Sequence, residues 1–500
     1  MIIASIGGIS RLHSVERERG RPTMSCDIAR ESSSTARACF KTPEGRYNLA
    51  KATPGAESAR ASTTTRCENE NLARVRRRMT RATLSGVEYV VVNVKEGVGV
   101  MSIDANGANE VVKKIAFDGA DVTALAWRAR SVRDGYDLLV GMANGEVHGV
   151  DLASSLLEKG KRGTTLGKWN AKGGTTSARV TAVAWRERGE SSASASRGRN
   201  EEGDREFAFD WVATYADGSL FTYDSRRVGA EEGTFAPVVD RSALSVVQAS
   251  KANANPVERW HFGRSPLTAV AFSPDCDLLA VVNGDGMCRI LDVDGSRPNV
   301  VAGFKSYYAG FNAVKWSACG RYVIAGGESD LIEVWGLYER EVIAWGCGGH
   351  RSWICEIGVD ASRSAGGVGR ALRFVSVGED CRVALWDVII PGDDDDVPNA
   401  ERDEVHWSER EERALSASSH RRASSFSGPD AKVCQAARRD EVPRVVPVMT
   451  HKLHDHPVSA VAFTQDGILT ASSCDVKLWL RPENSRRYVK NNHELSEFSD

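Results

Sequence analysis

The stretch SPLTAVAFSPDCDLLAVVNGDGMCRILDVD (Ser265–Asp294) decides the fold, because the chain repeats its pattern. GFNAVKWSACGRYVIAGGESDLIEVWG follows at Gly310–Gly336, then SWICEIGVD at Ser352–Asp360 with RFVSVGEDCRVALWD at Arg373–Asp387. Each copy opens on alternating apolar residues, the pattern of a strand with one buried face. A polar turn, a second strand, a tight turn bearing Asp or Gly, and a third strand complete the unit. The spacing between copies is about 40 residues.

Weaker copies extend the pattern both ways: Asp121–Leu152, Arg179–Ser225, His456–Leu480 and a degenerate unit at Glu88–Asp104. The units lie near 86–117, 121–152, 179–225, 265–293, 307–345, 349–387 and 454–480. A period of this length closing on Trp-Asp, as at Trp386-Asp387, marks a WD-repeat propeller blade. One such sheet cannot bury both faces alone, so neighbouring blades must stack and the ring must close. The expected fold is all-β: a seven-bladed WD-repeat β-propeller spanning residues 39–480, with a disordered N-terminal tail and long inter-blade insertions.

In the sixth unit, His350 precedes the first strand, Ser376 lies in the second, Asp380 in the tight turn and Trp386 in the third. This spacing predicts a structural hydrogen-bonded chain that satisfies buried polar groups. A His-Asp-Ser hydrolase triad is the competing reading, and the repeat spacing argues against it. Trp316, Trp335, Trp386 and Trp479 fall in strands and are expected in the core.

Lys and Arg total 65 against 67 Asp and Glu, so overall charge gives no reason to expect a polyanion partner. Eleven cysteines are scattered without a CxxC pair, which predicts reduced thiols and a cytoplasmic and/or nuclear location. No apolar run approaches the roughly 20 residues of a membrane span. Residues 1–38, rich in Arg and Ser but carrying Glu16, Glu18, Asp27 and Glu31, read as a disordered tail rather than a transit peptide. Residues 187–206, 226–256 and 391–445 read as disordered insertions, and 481–500 as a C-terminal tail. Within the last insertion, Asp393–Asp396 is expected to be a solvated acidic run. Arg421-Arg422-Ala423-Ser424 makes Ser424 a candidate phosphosite, a serine behind paired arginines.

One stretch, KSYYAGFNAVKWSACGRYVIAGGESDLIEVWGLYEREVIAWGCGGHRSWICEIGVD (Lys305–Asp360), resembles a particular branch of WD proteins. That branch contains the dystrophia myotonica WD-repeat protein, its animal relative that activates ubiquitin-specific proteases, and the fungal catabolite-repression WD protein. FKTPEGRYNL (Phe40–Leu49) is similar to its N-terminal element, and Asn255–Asp275 and Val442–Pro482 to its fourth and closing blades. The shorter SSCD turn and the extra glycine in GCGGH depart from it. The resemblance implies a non-catalytic scaffold that docks and activates a ubiquitin-specific protease, with a second WD-repeat protein as a further partner. It also places Tyr308 and Trp353 on the protease-facing surface.

Loops before successive first strands carry Trp260 and Phe262, then Tyr307, Tyr308 and Phe311, then Trp353. Aromatics of this kind anchor interfaces. Trp260 and Phe311 are expected to pack between blades, whereas Tyr307, Tyr308 and Trp353 are candidate partner contacts, with Lys305 and Arg351 as a polar rim. No P-loop, nucleophile elbow or HExxH motif is present, so no enzyme and no cofactor are expected. His451, His454 and His456 cluster without a metal-site spacing that outweighs their place in a blade. The alternatives are a generic WD interaction scaffold or a substrate receptor of a cullin-RING ubiquitin ligase. The latter class favours Trp-Asp followed by a basic residue, yet Val388-Ile389 follows Asp387 and Trp479-Leu480-Arg481 lacks the Asp. The compact basic cluster Arg76-Arg77-Arg78 precedes the first blade and reads as solvated; neither nucleic acid nor membrane is an expected partner.

Overall fold

A six-residue pattern of valine, alanine and a closing aromatic builds the innermost strand of most blades. It appears as Val122–Trp127, Val180–Trp185, Leu267–Phe272, Phe311–Trp316 and Val458–Phe463. The structure, a computed structural model, describes residues 39–54, 76–94, 97–103, 111–117, 119–128, 135–157, 164–170, 176–187, 208–227, 230–238, 244–295, 297–361, 371–389, 433–436 and 438–482. These residues form seven sheets, each built on four antiparallel strands. Innermost strands neighbour one another in a closed cycle, from Met79–Leu84 through each blade to Val458–Phe463 and back. The chain is therefore a seven-bladed WD-repeat propeller. Its helix, among the described residues, is the single turn-and-a-half Ala153–Leu157.

Seven clusters of buried side chains fill the spaces between blades, one per interface. Trp335 of blade 5 stacks on Phe304 of blade 4, with ring centroids 4.4 Å apart. Trp260, Phe262 and Phe311 are buried in these inter-blade clusters as well. Trp316, Trp386 and Trp479 are also buried. The hydrophobic effect thus acts between sheets rather than within them, which is why no blade can stand alone.

The innermost strands share a second device. In blades 2 to 7 the register shifts at the second residue of the strand, a bulge occupied by Thr123, Thr181, Thr268, Asn312, Cys355 and Ser459. A bulge re-aims its residue, and small polar side chains there reach the next blade. Thr268 donates to the Phe311 carbonyl (2.6 Å), Asn312 to that of Ile354 (3.0 Å) and Ser459 to that of Arg77 (3.1 Å). At the other end of the strand, Trp316 Nε1 reaches back to Ala271 of the preceding blade (3.0 Å), and Trp185 Nε1 to Ala126 (3.2 Å).

Ring closure differs from the linear order of the repeats. The outer strand of blade 7 comes from the other end of the chain: Gly45–Pro54 pairs antiparallel with Asp475–Leu480, and Cys39–Thr42 pairs outside it. The element FKTPEGRYNL is this closing hairpin. Glu44 in its turn forms an ion pair with buried Arg373 of blade 6, which also binds Asp387. Blade 1 begins a strand earlier than its periodicity suggested, at Met79, because MTRATL lacks the alternation of the other inner strands.

Several expectations change. The Arg76–Arg78 cluster is solvated only in part: Arg76 is exposed, but Arg77 is buried and donates through Nε (3.1 Å) and Nη2 (2.6 Å) to the Ser473 carbonyl of blade 7, and through Nη1 to the Asn93 carbonyl of blade 1. Arg78 Nε donates to Thr123 of blade 2 (3.1 Å). Arg77 thus clasps blade 1 to blade 7, and Arg78 ties blade 1 to blade 2. Residues 226–256, expected to be disordered, hold the strand Ser245–Gln248, which extends blade 3 beyond Glu258–His261. Its Val246-Val247 pair supplies the strand tendency that the surrounding polar residues hid.

The end of the insertion 391–445 is ordered too. Val433–Gln435 lies parallel to Gly303–Lys305 of blade 4, and Arg444–Val445 parallel to Trp345–Gly346 of blade 5. The chain then becomes the outer strand of blade 6, Met449–Lys452. We call residues 433–448 the strap. The tail 1–38, most of the insertion 187–206, residues 391–432 with Asp393–Asp396 and Ser424, and residues 483–500 lie outside the described residues.

Candidate partner-docking face

Two loops on one face of the ring present large aromatics to solvent. The first, between blades 4 and 5, is shaped by Ser306. Its hydroxyl donates to the Ala309 carbonyl (2.6 Å) and accepts the Tyr308 amide (3.2 Å), while its own amide donates to Gly286 (2.8 Å). The Tyr307 amide donates to Glu333 Oε1 at 3.1 Å. With the backbone so held, Tyr307 leans on the blade 4–5 core and Tyr308 stands out, 66% exposed. The Lys305 ammonium folds back onto the Asp285 carbonyl.

The second loop, between blades 5 and 6, rests on the polar chain beneath it. Trp386 Nε1 donates to Ser376 Oγ (2.9 Å), so the serine proton is directed to His350 Nε2 (2.8 Å) and His350 Nδ1–H to Asp380 (3.2 Å). Asp380 also accepts the Arg351 amide (2.8 Å), and the Glu379 amide donates to the Trp353 carbonyl (2.9 Å). Burial alone would raise the Asp380 pKa, but the His350 hydrogen bond and the backbone donors outweigh it and the net shift is downward. Glycine is needed where the loop passes the ring: a Cβ at Gly349 would lie 2.4 Å from Trp386. Held this way, Trp353 is 43% exposed with Arg351 exposed beside it. Arg76 pairs with Glu379 at 3.0 Å, adding charge at this rim.

The chain His350–Ser376–Asp380–Trp386 therefore holds the backbone beside Trp353. Ser376 is fully buried and its hydroxyl is hydrogen-bonded to both His350 and Trp386. Blade 7 repeats the arrangement, which the sequence reading missed. His454 bridges Asp475 (2.7 Å) and Thr470 (2.7 Å), and Trp479 Nε1 donates to Thr470 (2.9 Å). His454 is thus a structural residue, and no group of metal-ligating side chains is found among the described residues. In blade 5 the polar position has changed strands. Where Ser376 faces Ala384 in blade 6, Ala325 faces Glu333. Glu333 is fully buried, and burial pushes its carboxyl up to about 8, the Tyr307 amide pulling the other way.

Sequence reasoning also missed Arg439. From the strap, its Nη1 donates to the Tyr308 hydroxyl at 2.8 Å, and its guanidinium lies 4.0 Å from the centroid of Trp345. The two residues are 131 positions apart, and no repeat places a strap residue, so nothing in the local pattern could have paired them.

The chain carries WD40 repeats: the family described as WD domain, G-beta repeat, matches residues 257–292 and 446–479. It is similar to the UBP9-binding protein bun62 of Schizosaccharomyces pombe, at 23% identity over 430 residues, covering 80% of this chain and 72% of that protein. Among solved structures it is similar to a chain of the Mitotic Checkpoint Complex, with a TM-score of 0.48 and 14% identity over 95% of this chain and 99% of that one.

Proposed function

We propose that this WD-repeat propeller is a non-catalytic scaffold, cytoplasmic and/or nuclear, that docks a ubiquitin-specific protease and raises its activity. The observation that carries the reading is the pair of solvent-facing aromatics, Tyr308 and Trp353, on neighbouring loops whose backbones are held from beneath. Rigid exposed aromatics lose little entropy on binding and supply the buried anchor of an interface. The similarity to a protein named as binding UBP9 supports a partner of this kind. So does the sequence resemblance of Lys305–Asp360 to an activating branch of WD proteins. A second WD-repeat protein is a further partner under the same reading. Activation is a coupling between docking and the protease's competent conformation, about 1–3 kcal/mol, or roughly five- to 150-fold.

The rival role of cullin-RING substrate receptor needs an accessible basic residue at a blade end. Arg481 is instead buried in an ion pair with Asp360 at 2.8 Å. The test is hydrolysis of a ubiquitin–fluorophore conjugate by ubiquitin-specific proteases of the same organism, with and without the chain. Stimulation that vanishes in Tyr308→Ala/Trp353→Ala, with the melting temperature retained, supports the proposal. No stimulation across the proteases sinks it.

A further inference from the structure

We propose that Arg439 is a positioning residue of the docking face, and that the Arg439–Tyr308 pair takes an acidic side chain of the partner. This rests on the docking reading above and adds a residue and a chemistry to it. The backbone around Tyr308 is fixed by Ser306 and Glu333, but its ring stands in solvent, 66% exposed. What freedom the exposed ring keeps has to be given up on binding. Arg439 removes part of that cost in advance by donating to the phenol at 2.8 Å and placing its cation 5.7 Å from the ring centroid.

The guanidinium is itself held. It lies over Trp345, whose Nε1 donates to the carbonyls of Arg439 and Val442, each at 3.2 Å. The Trp345 amide donates to Pro443 (3.0 Å), and Arg444 Nε donates to Cys347 Sγ (2.8 Å). The strap therefore locks onto blade 5 through Trp345 and hands one arginine to the loop of blade 4.

Hydrogen-bond direction then sets the chemistry of the ligand. Because the Tyr308 oxygen accepts from Arg439, its own proton points elsewhere and is available to donate. A partner group meeting this pair finds a phenolic O–H beside a guanidinium, two donors and a positive charge. A carboxylate satisfies both, and charge-assisted bonds of this kind are the stronger ones. Arg351, exposed on the adjoining loop, favours the same sign of partner.

The experiment is a double-mutant cycle on the intact chain, read as the dissociation constant for the catalytic domain of the protease it stimulates. The variants are Arg439→Ala, Tyr308→Phe, their combination, and Tyr308→Ala. Arg439→Ala and Tyr308→Phe are each expected to weaken binding about three- to tenfold with unchanged melting. The combination should weaken it by less than the product, because either change alone already breaks the pair. Arg439→Gln, which keeps a planar donor without the charge, replaces Arg439→Ala if the latter melts early, and is expected to lose at least threefold. Arg439 variants that bind within twofold of wild type or more tightly, or effects that simply multiply, overturn the proposal. If Tyr308→Ala itself binds like wild type, the docking reading has failed rather than the role of the strap.

Discussion

Replacing Arg77 with alanine tests how the ring is closed. Its guanidinium joins blade 1 to blade 7, binding the Ser473 carbonyl through Nε and Nη2 and the Asn93 carbonyl through Nη1. A hydrogen bond from a charged donor contributes about 1.5–3 kcal/mol, and a buried carbonyl left alone costs a comparable amount. Two carbonyls on two blades, with some water entering the gap, give about 3–5 kcal/mol. For a chain of this size that corresponds to about 3–7 °C in melting temperature. Arg76 is the internal control. Its pair with Glu379 is 40% and 36% exposed, so Arg76→Ala should cost at most about 1 kcal/mol. Urea denaturation followed by tryptophan fluorescence, with calorimetry alongside, separates the two variants. If Arg77→Ala loses under about 1 kcal/mol, no more than Arg76→Ala, the clasp reasoning is refuted.

His350→Ala leaves Ser376 and Asp380 without their shared partner, and should cost about 2–3 kcal/mol in the same assay. Trp386→Phe, which removes the indole donor to Ser376, should cost about 1 kcal/mol; equal losses would argue against a linked chain. Acid should destabilise blade 7. Burial lowers the His454 pKa below 6.5, so the unfolded chain takes up its proton first and stability falls as pH drops through that value. Asp475 adds to this. Burial opposes ionisation, but His454, Ser472 and Lys477 hold its pKa below 3.8, so its contribution is present above that pH and is lost in stronger acid. His454→Gln should flatten the loss below about pH 6.5, and an unchanged pH–melting curve would count against the assignment. Glu333 works in the opposite direction. With a folded pKa of about 8 against 4.5, its contribution is full below pH 4.5 and is lost as pH rises towards 8. Glu333→Gln should therefore stabilise at pH 7 by up to about 3 kcal/mol, and destabilisation there would show that the acid is ionised or otherwise paired.

Much of the fold was legible because a blade is a local object. Alternation, a polar turn and a closing tryptophan lie within about 40 residues of one another, so the strands of blades 4 to 6 could be read directly from Ser265–Asp387. The chain His350–Ser376–Asp380–Trp386 was legible for the same reason, since its members belong to one repeat. Exposed Tyr308 and Trp353 could be singled out because each follows a fixed place in the repeat, the loop before a first strand.

What only the tertiary structure decided are contacts across blades and across the chain. Arg77 resembles any basic residue ahead of a domain until Ser473, 396 positions away, comes beside it. The strap has no repeat of its own, and its strands exist because blades 4 and 5 offer open edges along Gly303–Lys305 and Trp345–Gly346. Short segments such as Arg444–Val445 cannot hold a strand by themselves; their hydrogen bonds are supplied by an edge already in place. Ring closure has the same origin, because the outer edge beside Asp475–Leu480 is completed by Gly45–Pro54 only once seven blades have brought the ends together. Periodicity records what a residue does with its neighbours in sequence, whereas Arg77, Glu44 and Arg439 act on partners that only closure of the ring brings near.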